Sequence, residues 1–188
     1  SVPSVPSSWD GSVLAMLPAV WASPDPAYVR LIVRKTGFQH APFQIGKAEV
    51  VSKGTDVTLL VYGYLFEEAR QAAKILEGNG LSVGLVNMRS LKPVDEQAIL
   101  DAASGSKRLV TIEDHLLTGG LYSIVAETLL RHRQTADVLP LALREKWFKP
   151  GRLPEVLEYE GFTPEKIAER ITTDYTDSHR FILKKSVQ

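Results

Sequence analysis

Cysteine is absent from the 188 residues. Its absence removes disulfides, thiolate metal sites and cysteine nucleophiles together. Net charge is absent too: 22 Lys and Arg balance 22 Asp and Glu. No positive field exists to hold a phosphate backbone, which disfavours general nucleic-acid binding. No apolar run approaches the roughly 20 residues a membrane span needs. The first ten residues have no basic start, so no secretory signal is legible, and a cytoplasmic location is expected. The glycine fingerprints of nucleotide sites (GxGxxG, and GxxxxGK before Ser or Thr) are missing, as are a GxSxG elbow and an HExxH zinc pair. The 4 histidines stand at no metal-ligand spacing.

What is present is a pattern of buried strands alternating with amphipathic helices. Residues 1–10 are rich in Ser and Pro and read as a linker or as a short strand entering a turn. A helix from about Gly11 to Trp21, with Val13, Leu14, Leu17 and Val20 at helical spacing, ends before Pro24 and Pro26. Tyr28 to Lys35 is β-branched and apolar and reads as a strand. Such a unit cannot cover both of its faces, so it reads as the trailing edge of a preceding domain. The chain opens on Ser1 rather than Met, which fits either methionine removal or a longer chain upstream.

Thr36 to Gly46 reads as a linker. After it, strands are expected at Lys47–Ser52, Asp56–Tyr62, Ser82–Met88, Lys107–Ile112 and Val138–Leu143. Helices are expected at Tyr64–Glu77, Pro93–Ala103, Gly119–Arg133, Pro154–Glu160 and Pro164–Thr172. The last dozen residues read as weakly ordered or peripheral. This order predicts right-handed βαβ units. The fold class is therefore α/β: a three-layer, open, mostly parallel sheet with helices on both faces.

Few residues carry chemistry. Glu113, Asp114 and His115 fall at the carboxyl end of a strand, where open α/β sheets commonly bind ligands. His115 there is either a general acid or base or a loop histidine paired with its acidic neighbours. Gly119-Gly120 opens a helix whose amides could hold an anion, or it is a tight turn bringing the helix close to the sheet. Arg30 and Arg34 share one strand face at period two. Two guanidinium groups suit a phosphate, or they pair with a neighbouring domain. Asp95-Glu96 complements a helix dipole. Trp147-Phe148 is either core or an interface anchor. No self-sufficient catalytic set emerges.

Five blocks, in order, resemble the C-terminal domain of the transketolase family, which includes deoxyxylulose-phosphate synthase and the beta subunits of 2-oxo-acid dehydrogenases. They are Gly46 to Val51, Gly54 to Gly63, the Ala-rich helix after it, Gly80 to Asp95, and Thr111 to Glu127. The last resembles the family's Glu-x-His and Gly-Gly-x-Gly-Ser signature, with Tyr122 where a third glycine is common. Residues 11–35 resemble the last helix and strand of the family's pyrimidine-binding domain. The resemblance divides the chain into 1–36, the trailing part of that domain; 37–46, a linker; 47–172, the C-terminal-like domain; and 173–188, a tail.

The resemblance implies a C-terminal part of a thiamine-diphosphate-dependent, transketolase-like enzyme performing two-carbon ketol transfer between sugar phosphates. Its role would be structural and dimerising, without catalysis by this chain alone. Arg34, and less directly Arg30, match a strand arginine that contacts sugar phosphate, and His115 matches a residue near the site entrance. The family's GDG motif is absent, so this chain is expected to bind no cofactor or metal. Thiamine diphosphate and Mg belong to the full enzyme, whose upstream domains or subunit are the expected partner, in a homodimer. The alternatives are a 2-oxo-acid dehydrogenase beta subunit, a non-catalytic interaction or regulatory domain, and a nucleotide-binding module.

Overall fold

The computed structural model describes residues 4–8, 12–32 and 37–185. A leading unit comprises β1 (Ser4–Ser8), α1 (Ser12–Trp21) and β2 (Tyr28–Ile32). The main unit carries β3 (Glu49–Ser52), β4 (Val57–Val61), α2 (Phe66–Gly78), β5 (Val83–Asn87) and α3 (Glu96–Gly105). It continues with β6 (Arg108–Leu116), α4 (Leu121–Arg131), β7 (Val138–Leu143), α5 (Leu153–Glu160) and α6 (Pro164–Lys185).

The main sheet has the order β3-β5-β4-β6-β7, parallel except for the antiparallel edge strand β3. β4 sits at its centre, and all five of its residues are buried. Alternation sends Val57, Leu59 and Val61 to one face, where α2 supplies Ala69, Ala72 and Leu76 and α6 supplies Ile167 and Ile171. Leu60 and Tyr62 face the other way, onto Ile99 of α3 and Leu121 and Val125 of α4. Each fully buried Leu contributes about 1.5–3 kcal/mol. A strand apolar on both faces can lie only between two helical layers, which is the three-layer α/β architecture the sequence predicts.

Differences from the expected elements have local causes. α3 starts at Glu96 because Asp95 is its cap, accepting from the Ala98 amide at 3.2 Å. β6 runs on through Glu113, Asp114 and His115 to Leu116. α6 continues past Thr172 to Lys185 instead of stopping, and Asp174 on it pairs with the buried Arg108. Among the described side chains of α1, Met16 is buried and Leu17 is exposed, while Val13 and Leu14 lie outside them. Met16 packs on Phe43, with Val20, Val29 and Ile45 around them.

In the leading unit β1 and β2 pair in parallel, Ser4 opposite Tyr28 through Ser8 opposite Ile32. The linker after it is fixed to the main sheet. His40 Nδ1 lies 2.7 Å from Glu49 Oε2, and Glu49 also accepts from the Ala41 amide at 2.6 Å and Asn87 Nδ2 at 3.2 Å. The His40, Phe38 and Phe66 rings form a mutual cluster, with ring centres 4.9 Å, 5.0 Å and 5.3 Å apart. Arg89 donates to the Ala41 carbonyl at 2.6 Å and lies 5.2 Å from the Phe43 ring centre. Burial pushes the Glu49 carboxyl up, but the bonds from His40, Ala41 and Asn87 outweigh it and hold the group below its usual range.

Candidate functional site

Strand order reverses between β4 and β6. β4 leads through α2 to β5 on one side, and β6 leads through α4 to β7 on the other. A crevice opens at the carboxyl ends of such a strand pair. Here it is a cleft of about 870 Å³ roofed by β2. Tyr62 comes from the end of β4, Asp114 and His115 from the end of β6, and Lys92 from the loop after β5. Glu127 and Arg131 come from α4, and Tyr28 and Arg30 from β2.

Glu113, Asp114 and His115 at the end of β6 do not act as a group. Glu113 is fully buried and turned toward α4. Its carboxylate accepts from the amides of Leu121 at 2.6 Å and Tyr122 at 3.0 Å. These are the donors a helix N-terminus leaves without intrahelical partners. The anion-holding alternative for Gly119-Gly120 is thereby corrected: Glu113 already occupies those two amides. Gly119 has φ +85°, and a Cβ on Gly120 would lie 1.9 Å from Glu113 Oε2. The glycine pair is a close-approach turn. Burial raises the Glu113 pKa, opposed by the two amides and by His115.

Asp114 points into the cleft and takes Arg30 in a two-pronged pair, Nη1 to Oδ1 at 3.0 Å and Nη2 to Oδ2 at 2.6 Å. That hydrogen-bonded pair raises the Arg30 pKa against burial, which lowers it. It also ties the leading unit to the main unit. In this structure Arg30 is paired with Asp114, while Arg34 lies outside the described residues. His115 stands exposed at the rim, with Nδ1 3.2 Å from the Leu116 carbonyl oxygen and no bond to Glu113 or Asp114. Burial, then the charges of Glu113 and Asp114, push the Tyr62 hydroxyl well above the usual phenol range, so it stays neutral. Arg131 and His132 both hold Glu96, the histidine at 2.7 Å.

The cleft therefore offers an exposed amine at Lys92, an exposed imidazole at His115 and phenol groups at Tyr28 and Tyr62. It can receive a polar or anionic group. Among the described residues it holds no nucleophile and base in hydrogen-bond contact, and no three His, Asp or Glu side chains are gathered to hold a metal. Sequence reasoning missed Tyr62, Lys92 and Arg131. Tyr62 was within reach, because period two from Leu60 places it on the α4 face at a strand end. No helix among the described residues is long and apolar enough to cross a membrane.

Residues 46–167 match the family described as "Transketolase, C-terminal domain". A "Putative transketolase C-terminal section" from Methanocaldococcus jannaschii is 34% identical over 151 residues, covering 78% of this chain and 47% of that protein. A "1-deoxy-D-xylulose-5-phosphate synthase" from Synechococcus sp. is 39% identical over 134 residues, covering 71% of this chain and 21% of that protein. The chain thus spans about half to a fifth of the length of these relatives. Among solved structures, one described as "Split gene transketolase, inactive beta4 tetramer" superimposes with TM-score 0.82 at 26% identity, over 93% of this chain and 57% of that one. A Pichia stipitis transketolase superimposes with TM-score 0.64 at 17% identity, over 93% of this chain and 25% of that one, a likeness of fold.

Proposed function

We propose, because this chain belongs to the transketolase C-terminal domain family, that it is the C-terminal part of a thiamine-diphosphate-dependent, transketolase-like enzyme. That enzyme moves a two-carbon ketol unit between sugar phosphates. The observation that carries the reading is the pairing of a family-type C-terminal domain with a β1–α1–β2 unit tied across its cleft by Arg30 and Asp114. A free-standing interaction domain has no use for a two-stranded remnant that leaves Trp21 93% exposed.

In this account the chain is a scaffold. Glu113 fixes the start of α4, Arg30–Asp114 fixes β2 over the cleft, and Lys92 and His115 face whatever polar group enters at the rim. Thiamine diphosphate, when bound with Mg by the upstream domains, supplies the electron sink for carbon–carbon cleavage. This chain has neither the GDG segment nor, among the described residues, a gathered metal-ligand set. The full enzyme is a cytoplasmic homodimer to which this domain contributes contacts.

The test is reconstitution. The isolated chain, given thiamine diphosphate, Mg and a ketose-phosphate donor with an aldose-phosphate acceptor, shows no ketol transfer. Co-expression with the upstream polypeptide that carries a GDG segment restores it. Turnover by the isolated chain, or failure of the two parts to associate, overturns the reading.

A further inference from the structure

Residues 144–152, between β7 and α5, lie outside everything the enzyme reading uses. They run Arg-Glu-Lys-Trp-Phe-Lys-Pro-Gly-Arg. Trp147 is fully exposed, and Phe148 is exposed beside it. Leaving a large apolar side chain in water forgoes about 1.5–3 kcal/mol of burial, so adjacent exposed aromatics mark a surface with a use.

The charge around them is unbalanced. Lys146 pairs with Glu160 at 2.8 Å. The side chains of Arg144, Lys149 and Arg170 have no hydrogen-bond or ion-pair partner among the described residues. Arg152 adds a further positive charge, set against Glu145 in the loop and Glu155 of α5, which accepts from the Arg152 amide at 3.0 Å, while Glu158 pairs with Lys166 at 2.8 Å. Arg170 is the telling member. It reaches from α6 to the end of α5, with Nη1 3.6 Å from the place a Cβ would take on Gly161. It is only partly solvated, and burial, then the like charge of Arg144, lowers its pKa. Arg30, Arg70, Arg108 and Arg131 all hold carboxylates of this chain. A partly buried guanidinium beside a second one, with no carboxylate for either, is incomplete as it stands.

We propose that Arg144, Arg170 and the exposed Trp147-Phe148 pair form a docking surface for an acidic segment of a second polypeptide. Its carboxylates pair with the two guanidinium groups, and an apolar recess on it takes Trp147. Planar guanidinium groups match carboxylates in two-pronged geometry, and Trp with Arg is the side-chain pairing that carries protein interfaces. A lipid surface fits less well. Glu145 and Glu160 lie among the cations, whereas lipid-binding segments present roughly 4–8 clustered Lys or Arg. The loop leaves the same sheet edge as the cleft, where the Leu117 amide donates to the Leu143 carbonyl at 3.0 Å. A segment held there sits beside the end of β6. The inference is independent of the thiamine reading.

The test replaces Trp147 with photoreactive benzoylphenylalanine in the full-length protein of the source cell. Adducts are sequenced by mass spectrometry after illumination. The expected adduct joins position 147 to a different polypeptide, on a segment with two or more Asp or Glu residues. Its yield falls about tenfold in an Arg144→Glu/Arg170→Glu background, as loss of charge-assisted pairing requires. No protein adduct, an adduct to a second copy of this chain, a segment without acids, or a yield indifferent to charge reversal overturns the proposal. Sedimentation of the purified protein with phosphatidylserine vesicles gives the lipid arm. No binding is expected, and binding that Trp147→Ala abolishes overturns the proposal in favour of a membrane.

Discussion

Placing one methyl group on Gly120 should undo the start of α4. The new carbon would lie 1.9 Å from Glu113 Oε2, 2.7 Å from its Cδ and 3.0 Å from the Leu116 carbonyl oxygen. Glu113 is fully buried and cannot swing into water. Withdrawal of its carboxylate strands the Leu121 and Tyr122 amides. A hydrogen bond to a charged acceptor is worth about 1.5–3 kcal/mol, and overpacking alone costs about 1–3 kcal/mol. Relief by partial movement leaves an expected loss of about 3 kcal/mol for Gly120→Ala. Glu113→Ala strands the same donors and should also cost about 3 kcal/mol. The two losses share one contact, so they should not add. With the carboxylate gone, Gly120→Ala should cost about 1 kcal/mol or less, the remaining obstacle being Leu116. Urea unfolding followed by circular dichroism measures all four corners. Trp21 and Trp147 are too exposed for tryptophan emission to be a sound probe. Additive losses, or a Gly120→Ala protein as stable as the parent, would refute the contact.

Three further outcomes are expected. Glu49 has its folded pKa depressed from the usual 4.5, so its contribution is present above that value and lost as pH falls through the lower folded value. Glu49→Gln should therefore lose stability at pH 7, with the gap to the parent narrowing below 4.5, and a gap constant with pH counts against the His40–Glu49 bond. Asp114→Asn removes a pair whose Arg30 side chain is 37% exposed. After discount for solvent the loss is about 1 kcal/mol, and it should appear as faster hydrogen exchange at residues 28–32, unchanged exchange denying that the pair ties the units. The buried hydroxyls of Thr111 and Thr128 have no hydrogen-bond partner among the described residues, so Thr111→Val and Thr128→Val should each raise stability by up to about 1 kcal/mol in chemical unfolding. A loss in both shows that those hydroxyls are satisfied.

Much of the fold was legible because its signals are local. Asp56 to Tyr62 is a run that only a doubly covered strand can bury, and the Ala-rich stripe after it can face only a sheet. Val138–Leu143 was placed to the residue. What escaped depends on contacts distant in sequence. The carboxylate that Arg30 meets, Asp114, lies 84 residues away. Nothing local marks His40 as the residue that pins the linker, since its partner Glu49 is itself held by Asn87 only across the β3–β5 pairing. Adjacent residues gave the wrong company as well. Glu113, Asp114 and His115 read as a cluster, yet strand alternation sends Glu113 to α4 and Asp114 to the cleft. The glycine pair offered two meanings, and the choice was made by a carboxylate already seated at the helix start.

The most direct test of the central claim is capture of the native protein. An antibody against its C-terminal tail would be used on the source cells, and everything retained would be sequenced by mass spectrometry. The account predicts peptides of a thiamine-diphosphate-binding part with a GDG segment, either continuous with Ser1 or on a stoichiometric companion. Recovery of the 188-residue species with no such part would contradict it.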